Sequence, residues 1–169
     1  WAISLGFMAV LVKQLGGSGV TQSLFAALSI ALLAIGNLWA SSVAGRIRGQ
    51  RLVLASFAMM FVGIVIAAMS SSLVVLAVAQ ATMGLAQGIG YPVLMGMSIQ
   101  HVDESSRTTA MGLFQAVYAI GMFGGPALSG VLADALGIQP MFGLTAGLCL
   151  VLGLVFSRLL VEQTQAAAT

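Results

Sequence analysis

The residues best suited to chemistry in this chain carry no charge. Gln80, Gln87 and Tyr91, with Gly84 between them, recur at steps of four, three and four. On an α-helix, at about 100° per residue, they fall within roughly 60° of one another. A second set, Met111, Gln115, Tyr118, Met122 and Pro126, repeats the pattern farther along. Amides and phenols donate and accept hydrogen bonds without a change of charge, and thioethers adapt to varied apolar shapes. Such a group could hold a neutral or amphipathic small molecule, with Met111 and Met122 covering its apolar part. The same polar groups could instead tie helices together, at about 0.6 kcal/mol per bond on average. Asn37 stands about 80° from the line of Gln22, Ser29 and Gly36; it reads as an interhelical hydrogen-bonding residue or a cavity contact.

Other chemistries find no support. No Ser/His or paired-carboxylate arrangement within these segments supplies a nucleophile and base, so the chain is not expected to be an enzyme. His101 is isolated in H-V-D-E-S-S-R, no metal site is expected, and nothing calls for a cofactor. The single Cys149 cannot form an internal disulfide and reads as small apolar filler. No aromatic-interleaved basic patch points to nucleic acid.

The elements that must position these residues follow from composition. Apolar residues make up 60% of the chain and charged residues 6%, against about 25% charged in a soluble domain. A span needs about 20 apolar residues to cross some 30 Å of hydrocarbon. Apolar runs predict helices near 1–15, 22–44, 52–70, 73–99, 107–133 and 141–160. They lack the period-2 alternation of barrel strands, and in lipid only helices then satisfy the backbone. The expected fold is an all-α membrane protein, a six-helix transmembrane bundle forming one domain over 1–169. Lys13 follows Trp1 after only twelve positions, so the first helix reads as truncated and the chain as opening inside it.

Threading six segments puts Arg46, Arg48, Arg51, Arg107 and Arg158 on one face and only Lys13 on the other. The positive-inside bias makes the arginine face and the C-terminus cytoplasmic. No Asp, Glu, Lys, Arg or His lies deep within a predicted span, so these segments offer no proton site or counter-ion. Gly84-x-x-x-Gly88, Gly121-x-x-x-Gly125 and Gly143-x-x-x-Gly147 read as packing devices for close helix approach. Pro92 cannot donate to the carbonyl four residues earlier, so Tyr91-Pro92 is a candidate hinge. Ser105 or Ser106 is expected to cap the fifth helix. Arg107 is expected to pair with Asp103 and Glu104 or with a loop outside this chain.

Ala34-Ile35-Gly36 and Gly45 recur as Ala119-Ile120-Gly121 and Gly130, an offset of 85 residues. The repeat unit is three helices, an odd number, so its copies run in opposite senses across the bilayer. Inverted repeats of this kind are found in secondary transporters.

The stretch from Arg107 to Phe142 reads R-x-x-A-M-G-x(8)-G-x-x-x-G-P-x-x-x-G-x-x-x-D-x-x-G-x-x-x-x-F. It resembles the eleventh helix of major facilitator superfamily transporters. G-R-I-R-G-Q-R at Gly45–Arg51 resembles their basic loop between helices eight and nine, with Gly49 where the family usually has an acidic residue. Gly125-Pro126 with Gly121 and Gly130 is similar to the antiporter motif of the fifth helix, placed here in its pseudo-equivalent. The resemblance implies the C-terminal six-helix half of a secondary transporter in a bacterial inner membrane. Its implied partners are lipid, a small-molecule substrate, and an N-terminal six-helix half or a second copy. A coupling proton would then titrate in that other half. Alternating access is implied, with export favoured. The competing expectation is a truncated or split bundle that binds a partner half and transports nothing by itself.

Overall fold

A computed structural model describes residues 2–166, with side chains over 6–156 and at Arg158. Trp1, on which the reading of the chain's opening rests, lies outside the described residues, as do Ala167–Thr169. The described residues form six α-helices: α1 (Ala2–Gln14), α2 (Gly19–Val43), α3 (Gly49–Ala68), α4 (Leu73–Ile99), α5 (Arg107–Leu136) and α6 (Ile138–Ala166). A 3-10 turn at Glu104–Ser106 precedes α5. Helices α2 to α6 are long and apolar enough to cross a membrane; α1, at 13 residues, reaches only about 20 Å. Large apolar side chains such as Phe123, Leu38 and Val74 stand 83%, 74% and 76% exposed, an arrangement that water disfavours and an apolar surround of lipid or protein does not.

Local chemistry sets the helix ends. Ser18 and Ser72 accept from the backbone N–H groups of Thr21 and Val75, capping α2 and α4. The expected cap on α5 is absent: Ser106 makes no side-chain cap bond. Its N–H instead bonds Asp103 O within the 3-10 turn, so α5 is entered through a turn that is already helical. The chain between α5 and α6 is shorter than the sequence predicts. Helix continues through Asp134 to Leu136, and Pro140 sits in the first turn of α6, where its missing donor costs nothing. Only Gly137 remains as the turn, at φ 90°, a conformation that suits glycine. Gly45 plays the same part between α2 and α3 at φ 81°. Helix α4 runs unbroken through Pro92.

Helix α4 is the centre of the packing, against α2 on one side and α3 on another, with α6 laid on α3. The α2–α4 contact is a seam of glycines. A Cβ on Gly84 would stand 2.8 Å from Ser29 O, and one on Gly36 2.8 Å from Leu85 O. One on Gly88 would run into the Leu33 carbonyl. The expectation of close packing is thus met at Gly84 and Gly88. It fails within this chain at Gly143 and Gly147, where a Cβ would meet nothing within 4 Å, because α6 turns that side outward. Gly121 and Gly130 on α5 likewise meet nothing.

The two ends of the bundle differ. The last turns of α1, α3 and α5 meet the first turns of α2, α4 and α6, so the helices run alternately up and down. Met8, Leu11, Val12, Phe25, Ile64, Leu76, Met83, Met141 and Phe142 form this cluster, with Leu132 and Ala133 of α5 packed on it. We call this the lysine end, for Lys13. At the arginine end the buried cluster is small, Ala40, Leu52 and Ile89, and joins α2, α3 and α4 without α5 or α6. Ser129 is the one buried residue among those described in α5.

Candidate functional site

On the arginine side of the lysine-end cluster, α3, α4, α5 and α6 leave a cavity of about 510 Å³ between them. Phe57, Tyr91, Phe114, Tyr118 and Phe156 supply aromatic wall, and Gln87 projects among them. Tyr91 and Tyr118 meet edge to face with centroids 5.1 Å apart, and Tyr91 lies 5.9 Å from Phe114. Phe57 stacks on Phe156 at 6.4 Å.

Two hydrogen bonds bridge α4 and α5 at this level. Gln87 Nε2 donates to the Tyr118 hydroxyl at 3.2 Å, and Gln115 Nε2 donates to the Tyr91 hydroxyl at 2.6 Å. Each phenol is an acceptor in its bond, which leaves its own O–H proton free to donate to a third group. The pairs are crossed, since each helix contributes one amide and one phenol. The aliphatic hydroxyls behave differently. Ser56 donates to Val53 O at 2.7 Å and Thr145 to Met141 O at 2.9 Å, inside their own helices. Such back-bonding absorbs their polarity, so the polar chemistry of the wall rests with the amides and phenols.

Of the residues singled out in the sequence, Gln87, Tyr91 and Tyr118 line this cavity. Gln115 is exposed and reaches the group through Tyr91. Met111 and Met122 are absent from the wall, as is half-buried Asn37 on α2. Pro92 borders a smaller cavity of about 290 Å³ at the arginine end, between α2, α3 and α4. Gly125 and Pro126 are half-buried on α5. Gln80 sits apart: it is 3% exposed, and its Oε1 has no hydrogen-bond partner.

Sequence reasoning missed the α6 wall. Thr145, Cys149, Leu152 and Phe156 repeat the same four, three, four spacing that marks the α4 stripe. In a span rich in Leu, Val and Gly this stripe carries too little polarity to stand out. Cys149, expected as filler, is half-buried in this wall with Sγ 3.8 Å from Phe57 O. Arg107 does not engage the neighbouring acids through Nε, which donates to Val102 O at 3.3 Å. Gly49 sits where a Cβ would meet Met97 Sδ at 3.0 Å. An acidic side chain at that loop position would therefore have to displace Met97.

Five apolar spans and a neutral cavity among α3, α4, α5 and α6 define an integral, multi-pass membrane protein. The sequence matches the Major Facilitator Superfamily over residues 1–168, and the chain belongs to that family of membrane transporters, which are not enzymes. No curated relative matches the chain.

Proposed function

We propose that the chain is the C-terminal six-helix half of a secondary active transporter that moves a small neutral or amphipathic solute by alternating access, with export favoured. The observation that carries the reading is the crossed Gln87–Tyr118 and Gln115–Tyr91 pairing at an aromatic cavity. Two phenolic O–H groups are free to donate there. A neutral solute bearing a carbonyl or ether oxygen fits them, its apolar part against Phe57, Phe114 and Phe156. A charged solute would lose hydration without gaining a counter-ion.

Three further elements belong to this reading. The arginine end is cytoplasmic by the positive-inside bias, in a bacterial inner membrane. The cluster at the lysine end then closes the bundle outward, and the aromatic cavity lies on its cytoplasmic side. The two three-helix units are inverted copies, supported by the 85-residue offset that carries α2 onto the segment from Glu104 into α5. An N-terminal six-helix half, or a second copy, covers the exposed sides of α2 and α5 and holds any coupling proton site. Neutral aromatic compounds offered to proteoliposomes of the full-length parent, with and without a proton gradient, test the reading. Gln87→Leu and Tyr118→Phe should each weaken binding while membrane insertion persists. If both leave binding and transport unchanged, the pairs are packing bonds and the reading fails.

A further inference from the structure

The most unusual group outside the cavity is Gln80. It shares a face of α4 with Gln87 and Tyr91 and lies seven residues nearer the lysine end, about 10 Å along the axis. That displacement takes it out of the cavity and into the sealed region of the bundle. Leu76 and Met83, its neighbours along α4, are 0% and 1% exposed and belong to the lysine-end cluster. Gly84, one turn on, is pressed against Ser29 of α2. A buried carbonyl oxygen without a donor is costly, and an apolar residue of the same shape would avoid the cost. Gln80 Oε1 is in that position, whereas the buried hydroxyls of Ser56 and Ser70 donate to carbonyls three residues earlier in the chain.

We propose that Gln80 is a masked acceptor in the solute path. With the lysine end closed, its Oε1 is held without a donor. Opening that end admits water to it and makes it the first hydrogen-bond acceptor that an N–H or O–H group meets on the way to Gln87 and Tyr91. The unsatisfied oxygen also works against closure, so the lysine end opens more readily than its apolar packing alone would allow. This rests on the transporter reading above.

The test uses the full-length parent in sealed vesicles with Cys149→Ala as background and a charged, impermeant methanethiosulfonate applied on the lysine side. The reporter is Leu76→Cys, fully buried in the closed bundle and about 40° from Gln80 on the helix. An open population of roughly 0.1–10% should let it react about 10- to 1,000-fold more slowly than Gln139→Cys near the Gly137 turn. Adding Gln80→Met, nearly isosteric but without the carbonyl, should slow the reporter a further five- to hundredfold or so, the range expected for removing one unsatisfied buried acceptor. Gln80→Asn, which keeps an amide, should restore most of the rate, and Gln80→Met should raise the melting temperature in detergent. An unchanged reporter rate with Gln80→Met, or a lowered melting temperature, overturns the proposal, for the oxygen then has a partner in the closed state. If Leu76→Cys never reacts from the lysine side in any background, that end does not open. Alternating access then fails as well, whereas a reactive reporter insensitive to Gln80→Met sinks this inference alone.

Discussion

Alanine substitutions at two kinds of glycine should move stability in opposite directions. At Gly88 the added Cβ would strike the Leu33 carbonyl, and one added at Gly84 or Gly36 would come within 2.8 Å of a backbone oxygen. Ordinary contact begins near 3.4 Å, so α2 would have to retreat by about 0.6 Å or more. The obstructing atoms are main chain and cannot rotate aside. Overpacking of this kind costs about 1–3 kcal/mol, and the gain in helix propensity from glycine to alanine offsets at most about 1 kcal/mol. Gly88→Ala should therefore lose about 1 kcal/mol. At Gly143 and Gly147 nothing stands within 4 Å of a Cβ, and the propensity gain of about 0.5–1 kcal/mol acts unopposed. Titrating the purified protein with a denaturing detergent, followed by circular dichroism, reads the difference of about 2 kcal/mol between the two variants. Equal midpoints, or a lower midpoint for Gly143→Ala, would refute the account of the seam.

Further predictions concern side, site and wall. Single cysteines at Gln50 and Gln139 in a Cys149→Ala background should label from opposite sides of the membrane, and labelling from the same side would undo the threading. Tyr91→Phe and Tyr118→Phe each remove one bridge between α4 and α5, worth about 0.6 kcal/mol. They should change stability by less than about 1 kcal/mol while altering solute binding more, and a large stability loss with unchanged binding would make the bonds structural. Cys149, half-buried in the cavity wall, should react with a small apolar maleimide and be protected by any bound solute; a solute that leaves its rate untouched binds elsewhere.

The number and type of elements were legible because lipid permits so few solutions. Apolar runs of spanning length without period-2 alternation leave only helices, and charge outside the runs marks the turns. The helix stripe of Gln87 and Tyr91 was legible for a similar reason, since amides and phenols in hydrocarbon must find partners. Their pairing with Gln115 and Tyr118 depends on the rotation of α5 against α4, which periodicity on either helix leaves free. Met111 and Met122 share the spacing of Gln115 and Tyr118, yet the helix is rotated so that Phe114 and Val117 complete the wall. Gly84 and Gly143 open the same G-x-x-x-G motif, but only the first faces a neighbouring backbone. A small residue permits close approach without compelling it. The missing cap at Ser106 follows from backbone conformation: at φ −104° and ψ −6° it lies outside the extended region usual for that position.

Helix α5 can also be treated as a lever. It is buried at Ser129, packs through Leu132 and Ala133 on the lysine-end cluster, and farther along is joined to α4 by the two amide–phenol bonds and the Tyr91–Phe114 ring contact. Tyr118 lies roughly 11 residues from Ser129, about 16 Å of arm, and Arg107 roughly 22 residues, about 33 Å. A tilt of about 10° at Ser129 would carry Tyr118 some 3 Å and the arginine tip nearly 6 Å. The first displacement is enough to part both hydrogen bonds together; the second is comparable to one helical turn. A rotation small enough to leave the packing near Ser129 intact would thus be magnified into a change in the width of the cavity beside Tyr118, with the two amide–phenol bonds among the contacts that resist it.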